Sequence, residues 1–147
     1  MDIKVEVNIK DLEKIKGLER EVEKALQKAM EDCVDDLART SSETAPHDKG
    51  ILEKSYTKDV KGSGKQTEAT VEFAVRESSS KGNYNYALKM HEGNYNLGPG
   101  SQAKPGGTGM SGKHYTVGNK FLSRVLEGEQ EKYKGHIEKA LQDELKT

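Results

Sequence analysis

A chain of 147 residues, 32% hydrophobic and 33% charged, suits one domain with a thin core. Its 24 basic and 25 acidic residues leave a formal charge of -1, so the molecule as a whole has no electrostatic pull toward nucleic acid or membrane. No run approaches the ~20 apolar residues of a membrane span, and the amino terminus lacks a signal peptide's apolar stretch, so a soluble protein without an export signal is expected.

Ile3, Val5, Val7 and Ile9 alternate with polar residues, the period of a half-buried strand. A long helix is expected next, starting near Asp11 or after Gly17. Val22, Leu26, Ala29 or Met30, Cys33 and Leu37 recur at helical spacing, while Lys24, Lys28, Glu31, Asp32 and Asp35 point elsewhere. Cys33, the sole cysteine, has no internal disulfide partner and reads as a buried reduced thiol. Thr40 to Thr44 lower helix propensity and Pro46 disfavours helical geometry at Ala45, so the helix should end there. Asp48 is placed to fix the turn from Pro46 to Gly50 by accepting backbone N–H bonds.

Residues 55–60 and 67–75 read as two strands joined by a glycine-rich hairpin connection at 61–65, with Ala69, Val71, Phe73 and Val75 on one face. Residues 78–83 read as a polar loop. Tyr84, Tyr86, Leu88 and Met90 are too few to separate strand from helical turn. Residues 93–118 hold eight of the 15 glycines, a concentration that predicts a long flexible loop. No acidic residue occurs from Gly93 through Leu126, whereas Lys104, Lys113, Lys120 and Arg124 do, making these four the candidate contacts for DNA or an acidic partner. A final helix is expected from about Asn119 to Leu145. Its apolar stripe lapses over Glu127 to Lys132, which predicts a bend at Gly128 or two ends packed on different surfaces.

Catalytic constellations are weak. His47, His91, His114 and His136 lack the three- or four-residue spacing of a helical metal site, Ser78 to Ser80 lack a nucleophile-elbow setting, and Gly62 to Lys65 lack the remainder of a phosphate-binding loop. No enzyme activity, cofactor or metal is expected. Glu92 should pair with a basic residue such as Arg39 or Arg76, or face a neighbouring subunit.

Three phrases stand out: Thr44-Ala45-Pro46-His47-Asp48-Lys49-Gly50-Ile51-Leu52, Tyr86-Ala87-Leu88-Lys89-Met90-His91-Glu92-Gly93, and Phe121-Leu122-Ser123-Arg124 opening the last helix. In this order the chain resembles, over roughly residues 20 to 145, a phage neck family of tail-completion, head-tail joining or minor capsid proteins from long-tailed phages and prophages. Its pattern is Ala-Pro-x-Asp-x-Gly-x-Leu, Tyr-Ala-x-x-x-Glu-x-Gly, Phe-Leu. Lys49 stands where the family often has Thr, and His91 where it has an aliphatic or aromatic residue. The resemblance implies an α+β fold, with a long first helix and the terminal helix packed on a small antiparallel sheet. It implies a homo-oligomeric ring, a hexamer in the virion, that meets connector and tail-tube proteins. The protein would reside in the virion neck after assembly in the host cytoplasm. The alternative expectation is a small DNA-binding accessory protein that uses the basic segment 93–126.

With six Tyr, two Phe and no Trp, aromatic mass is scarce, and part of the stability is expected to come from neighbouring subunits.

Overall fold

The computed structural model describes residues 3–8, 20–47, 50–62, 67–79 and 82–145. The chain is α+β. Helix α1 (Arg20–Thr44) and helix α4 (Phe121–Leu145), 25 residues each, pack on each other and on a small antiparallel sheet. Strands β1 (Ile3–Asn8), β2 (Tyr56–Lys61) and β3 (Glu68–Phe73) form that sheet in the order β1-β3-β2. The expected strand at the amino terminus is thus a member of the main sheet, with Val5 opposite Val71. The expected helix start near Asp11, the turn-fixing role of Asp48 and the hairpin tip at 63–65 fall outside the described residues.

Helix α1 forms because its apolar residues return every three or four positions. Val22, Leu26, Met30, Cys33, Val34 and Leu37 are all buried. On β3 the alternation is equally legible: Ala69, Val71 and Phe73 are wholly buried, while Glu68 and Glu72 on the other face are half-exposed. Lys58 of β2, opposite Val71, reaches Asp35 of α1 at 2.8 Å, so α1 lies on the Ala69–Phe73 face. The Phe73 ring meets Phe121 edge-on at 5.2 Å and Tyr56 at 5.9 Å, which concentrates the scarce aromatic mass where sheet and helices converge. Each fully buried side chain of this size contributes about 1.5–3 kcal/mol.

Helix α4 runs unbroken through Gly128. Its two ends pack on different surfaces, one of the two expected alternatives: its first turn packs on Phe73, whereas Tyr133 and His136 meet α1 at Cys33, Asp36 and Asp32. Ser78, Ser79, Gly82 and Asn83, expected as polar loop, belong instead to two paired strands, β4 (Arg76–Ser79) and β5 (Gly82–Asn85), and Ser80 and Lys81 lie outside the described residues. The backbone ladder overrides the polar composition there. Helix α2 (Tyr86–Glu92) resolves the ambiguous Tyr86–Met90 stretch as helical. The glycine-rich segment contains a four-residue helix α3 (Pro99–Gln102) and a short hairpin of β6 (Gly107–Thr108) and β7 (His114–Tyr115). No described helix is long and apolar enough to cross a membrane.

Candidate functional site

The second and third phrases, separated by tens of residues, meet at one junction, and Pro46 and His47 of the first share a depression with Tyr86 and Met90 of the second. Helix α4 begins without a good capping side chain of its own: Lys120 sits at its entrance with φ +53, a left-handed conformation unusual outside glycine. Its open N–H groups are met from α2 instead. His91 Nε2 accepts from the Ser123 backbone N–H at 3.3 Å and from Ser123 Oγ at 3.1 Å. The Lys120 N–H donates to the His91 carbonyl at 2.7 Å, and Asn119 Nδ2 donates to the Gly93 carbonyl at 3.0 Å. Phe121 lies edge-on to the His91 ring at 5.0 Å. Ala87, Phe121 and Leu122 are wholly buried in the same region.

The end of α1 joins from the other side. The Gly118 N–H donates to the Thr44 carbonyl at 3.1 Å, and the His47 N–H donates to Ser101 Oγ at 2.8 Å. Lys104 Nζ donates to the Ser42 and Ala45 carbonyls at 2.9 and 2.5 Å, where the last carbonyls of α1 have no intrahelical donor. Its charge is balanced by Glu53 at 2.9 Å, which also holds His47. Burial pushes the Glu53 carboxyl up, but His47 and Lys104 outweigh it and hold it below its ordinary range. Gly50, at φ +78, supplies the turn from Pro46 into the buried Leu52.

His91 is 2% exposed. Burial, with Lys120 and Arg124 nearby, lowers its pKa to about 4, so it is neutral near pH 7. Nε2 serves as acceptor, and Nδ1–H donates to Glu92 Oε1 at 3.0 Å. Ser123, His91 and Glu92 therefore stand in the order of a nucleophile, base and carboxylate. The same groups also hold two helices together. Nε2 is occupied by two donors from one helix end, and Glu92 is also tied to Lys120. Depressions of about 580 Å³, beside Tyr95, Val117 and Asn119, and about 230 Å³, beside Pro46, Tyr86 and Met90, lie close by. Neither is lined by His91, Glu92 or Ser123. The arrangement joins α2 to α4.

Glu92 does pair with a basic residue inside the fold, but the partner is Lys120 and not Arg39. Arg39 is engaged with Asp36 at 2.8 Å and Glu43 at 3.0 Å, and Lys120 takes Glu92 because its left-handed backbone sets it beside the end of α2. The four cations expected to face DNA or a partner are all used within the fold. Lys104 caps α1, Lys120 pairs with Glu92, and Lys113 Nζ donates to the Gly128 carbonyl at 3.2 Å. Arg124 donates to the Asn119 and Thr116 carbonyls at 2.9 and 2.8 Å. The acid-free stretch is basic only along the sequence; in space Glu53, Glu92 and Glu129 lie against it.

Two further carboxylates went unremarked in the sequence. Asp36 on α1 accepts from the Met110 N–H at 3.0 Å and Tyr133 OH at 2.8 Å. Glu129 on α4, wholly buried, accepts from the Ser111 N–H at 2.7 Å, from Ser111 Oγ, and from Tyr115 OH at 2.7 Å. The lapse in the α4 stripe was the available signal: helix positions that lack apolar residues take a polar partner. Gly128 leaves room for Tyr115, whose OH lies 2.0 Å from where a Cβ would stand. Among the described residues no group of three or more His, Cys, Asp and Glu could hold a metal ion.

Comparison of the chain with protein-family models, curated proteins and solved structures gave no match.

Proposed function

We propose that this chain is a structural subunit of a phage or prophage neck, which completes the tail or joins head to tail by assembling as a homo-oligomeric ring. The observation that carries the reading is the meeting of the second and third phrases: helix α2 and the start of α4 are bound to one another through His91, Gly93, Asn119, Lys120 and Ser123, and Pro46 and His47 of the first phrase share a depression with Tyr86 and Met90 of the second. Support also comes from the sheet, whose outer strands β1 and β2 each pair on one side only among the described residues, the kind of edge on which a neighbouring subunit can add. The DNA-binding alternative loses its main argument, since Lys104, Lys113, Lys120 and Arg124 are engaged internally.

Electron microscopy of the purified protein, alone and mixed with tails assembled without it, tests the proposal. Rings, or new density at the tail end, are the expected result. A protein that stays monomeric at every concentration and leaves tail ends bare would overturn it, and salt-dependent DNA binding by that monomer would favour the alternative.

A further inference from the structure

Residues 107–115 cross the seam between α1 and α4, and what lies beneath them is polar. From α1, Asp36 holds the Met110 N–H, and Arg39 donates to the Thr108 carbonyl at 2.9 Å. From α4, Glu129 holds Ser111 twice and Tyr115 once. Between residues 127 and 132 α4 offers no apolar side chain at all. The crossing segment buries Tyr115 and half-buries Met110; its other contacts are hydrogen bonds. Glycines set its geometry: Gly106 has φ +84 at the entrance and Gly112 has φ +90 at the tip. Gly107 lies against the Thr40 carbonyl and Gly109 against Glu129, where an added Cβ would stand 2.8 and 2.2 Å away.

We propose that residues 107–115 form a strap that opens and closes as a unit while α1, α4 and the sheet stay packed, with the carboxylates of Asp36 and Glu129 as its latch. Opening uncovers the Tyr115 ring and part of Met110 but otherwise groups that water can satisfy, and it leaves the rest of the core covered, so it costs less than global unfolding. The latch is strong when closed because every bond to it is charge-assisted. It is also conditional on ionisation. Burial pushes the Glu129 carboxyl up, but the donations from Ser111 and Tyr115 and the charge of Lys113 prevail and hold it below the usual range. The groups that face the latch are Tyr115, Lys113 and His114 from the strap, Arg39 and Glu43 from α1, and Tyr133 from α4. A lowered carboxyl supports closure above its ordinary pKa and loses that support as pH falls through the lowered value.

The test is amide hydrogen exchange, read by NMR on the full chain, together with trypsin cleavage after Lys113. In the wild type, Met110 and Ser111 amides should exchange at least tenfold faster than those of Leu37 and Val71. Glu129→Gln should accelerate strap exchange and Lys113 cleavage by a further tenfold or more, with core exchange moved far less. If Glu129→Gln does not fold, Ser111→Ala gives the same comparison with one contact removed. Strap and core amides exchanging at one common rate, in wild type or in Ser111→Ala, would overturn the proposal.

Discussion

Lowering the pH from 7 to 5 should weaken this fold through one imidazole. His91 is neutral in the native state and must stay so, because a proton on Nε2 would remove the acceptor for the Ser123 N–H and bring a third positive charge beside those of Lys120 and Arg124. In the unfolded chain it titrates at the ordinary 6.5, in the native protein at about 4. The unfolded state therefore takes up the proton first, and stability falls as pH drops between these values. At about 1.36 kcal/mol per pKa unit, the full displacement amounts to about 3 kcal/mol, of which about 2 kcal/mol is lost by pH 5. That is a large share of the ~5–15 kcal/mol of a typical domain. Urea unfolding at pH 7, 6 and 5, on wild type and on His91→Gln, measures it. The variant starts lower, because its amide replaces a fitted ring, but its stability should depend less on pH by about 2 kcal/mol across that range. His47, His114, His136 and the carboxylates are common to both proteins and cancel in the difference. Parallel pH curves for the two proteins would refute the role given to His91.

Gly128→Ala and Gly135→Ala should have opposite signs, although both replace a glycine inside α4. Nothing lies within 4 Å of a Cβ at 135, so alanine there should stabilise by about 0.5–1 kcal/mol, whereas at 128 it meets the Tyr115 hydroxyl and should lower the urea midpoint. Phe121→Ala removes the ring that Phe73 and His91 both pack against, and a loss of about 3–5 kcal/mol should appear in thermal or urea unfolding. Cys33 is buried, and desolvation with Asp32 and Asp36 nearby pushes its thiol up to about 12. Maleimide or a disulfide reagent at pH 8 should leave it unmodified until denaturant is added.

Long regular elements could be read from the sequence because their pattern repeats. Val22 to Leu37 fixed the buried side of α1, and Ala69, Val71 and Phe73 the covered face of β3, since several residues at a constant period outvote any single exception. Helix α2, with seven residues, spans too few turns to establish a period. The β4–β5 pair is polar throughout, so its ladder left no hydrophobic trace. Site residues were harder for a related reason. Asp36 and Glu129 look like solvated helix charges, and what makes them acceptors is the backbone of a segment dozens of residues away. The cap on α4 is supplied by His91, on another helix, where local rules that look for Ser, Thr, Asp or Asn at the helix entrance find Lys120. The internal partners of the lysines in the basic stretch were hidden because Glu53, Glu92 and the carbonyls of Ser42, Ala45 and Gly128 lie outside it in sequence.

The sulfur of Cys33 lies 3.8 Å from the Tyr133 carbonyl, a hundred positions along the chain, and the contact belongs to the main helix pair. During synthesis α1 and the sheet are therefore made long before α4 exists to cover them. Their greasy side stays bare on the ribosome until Ile137 and Leu141 emerge, a delay of several seconds at ~5–20 residues per second. Folding of this chain accordingly waits for α4, and nascent molecules stalled short of it are the form that chaperones or aggregation would meet.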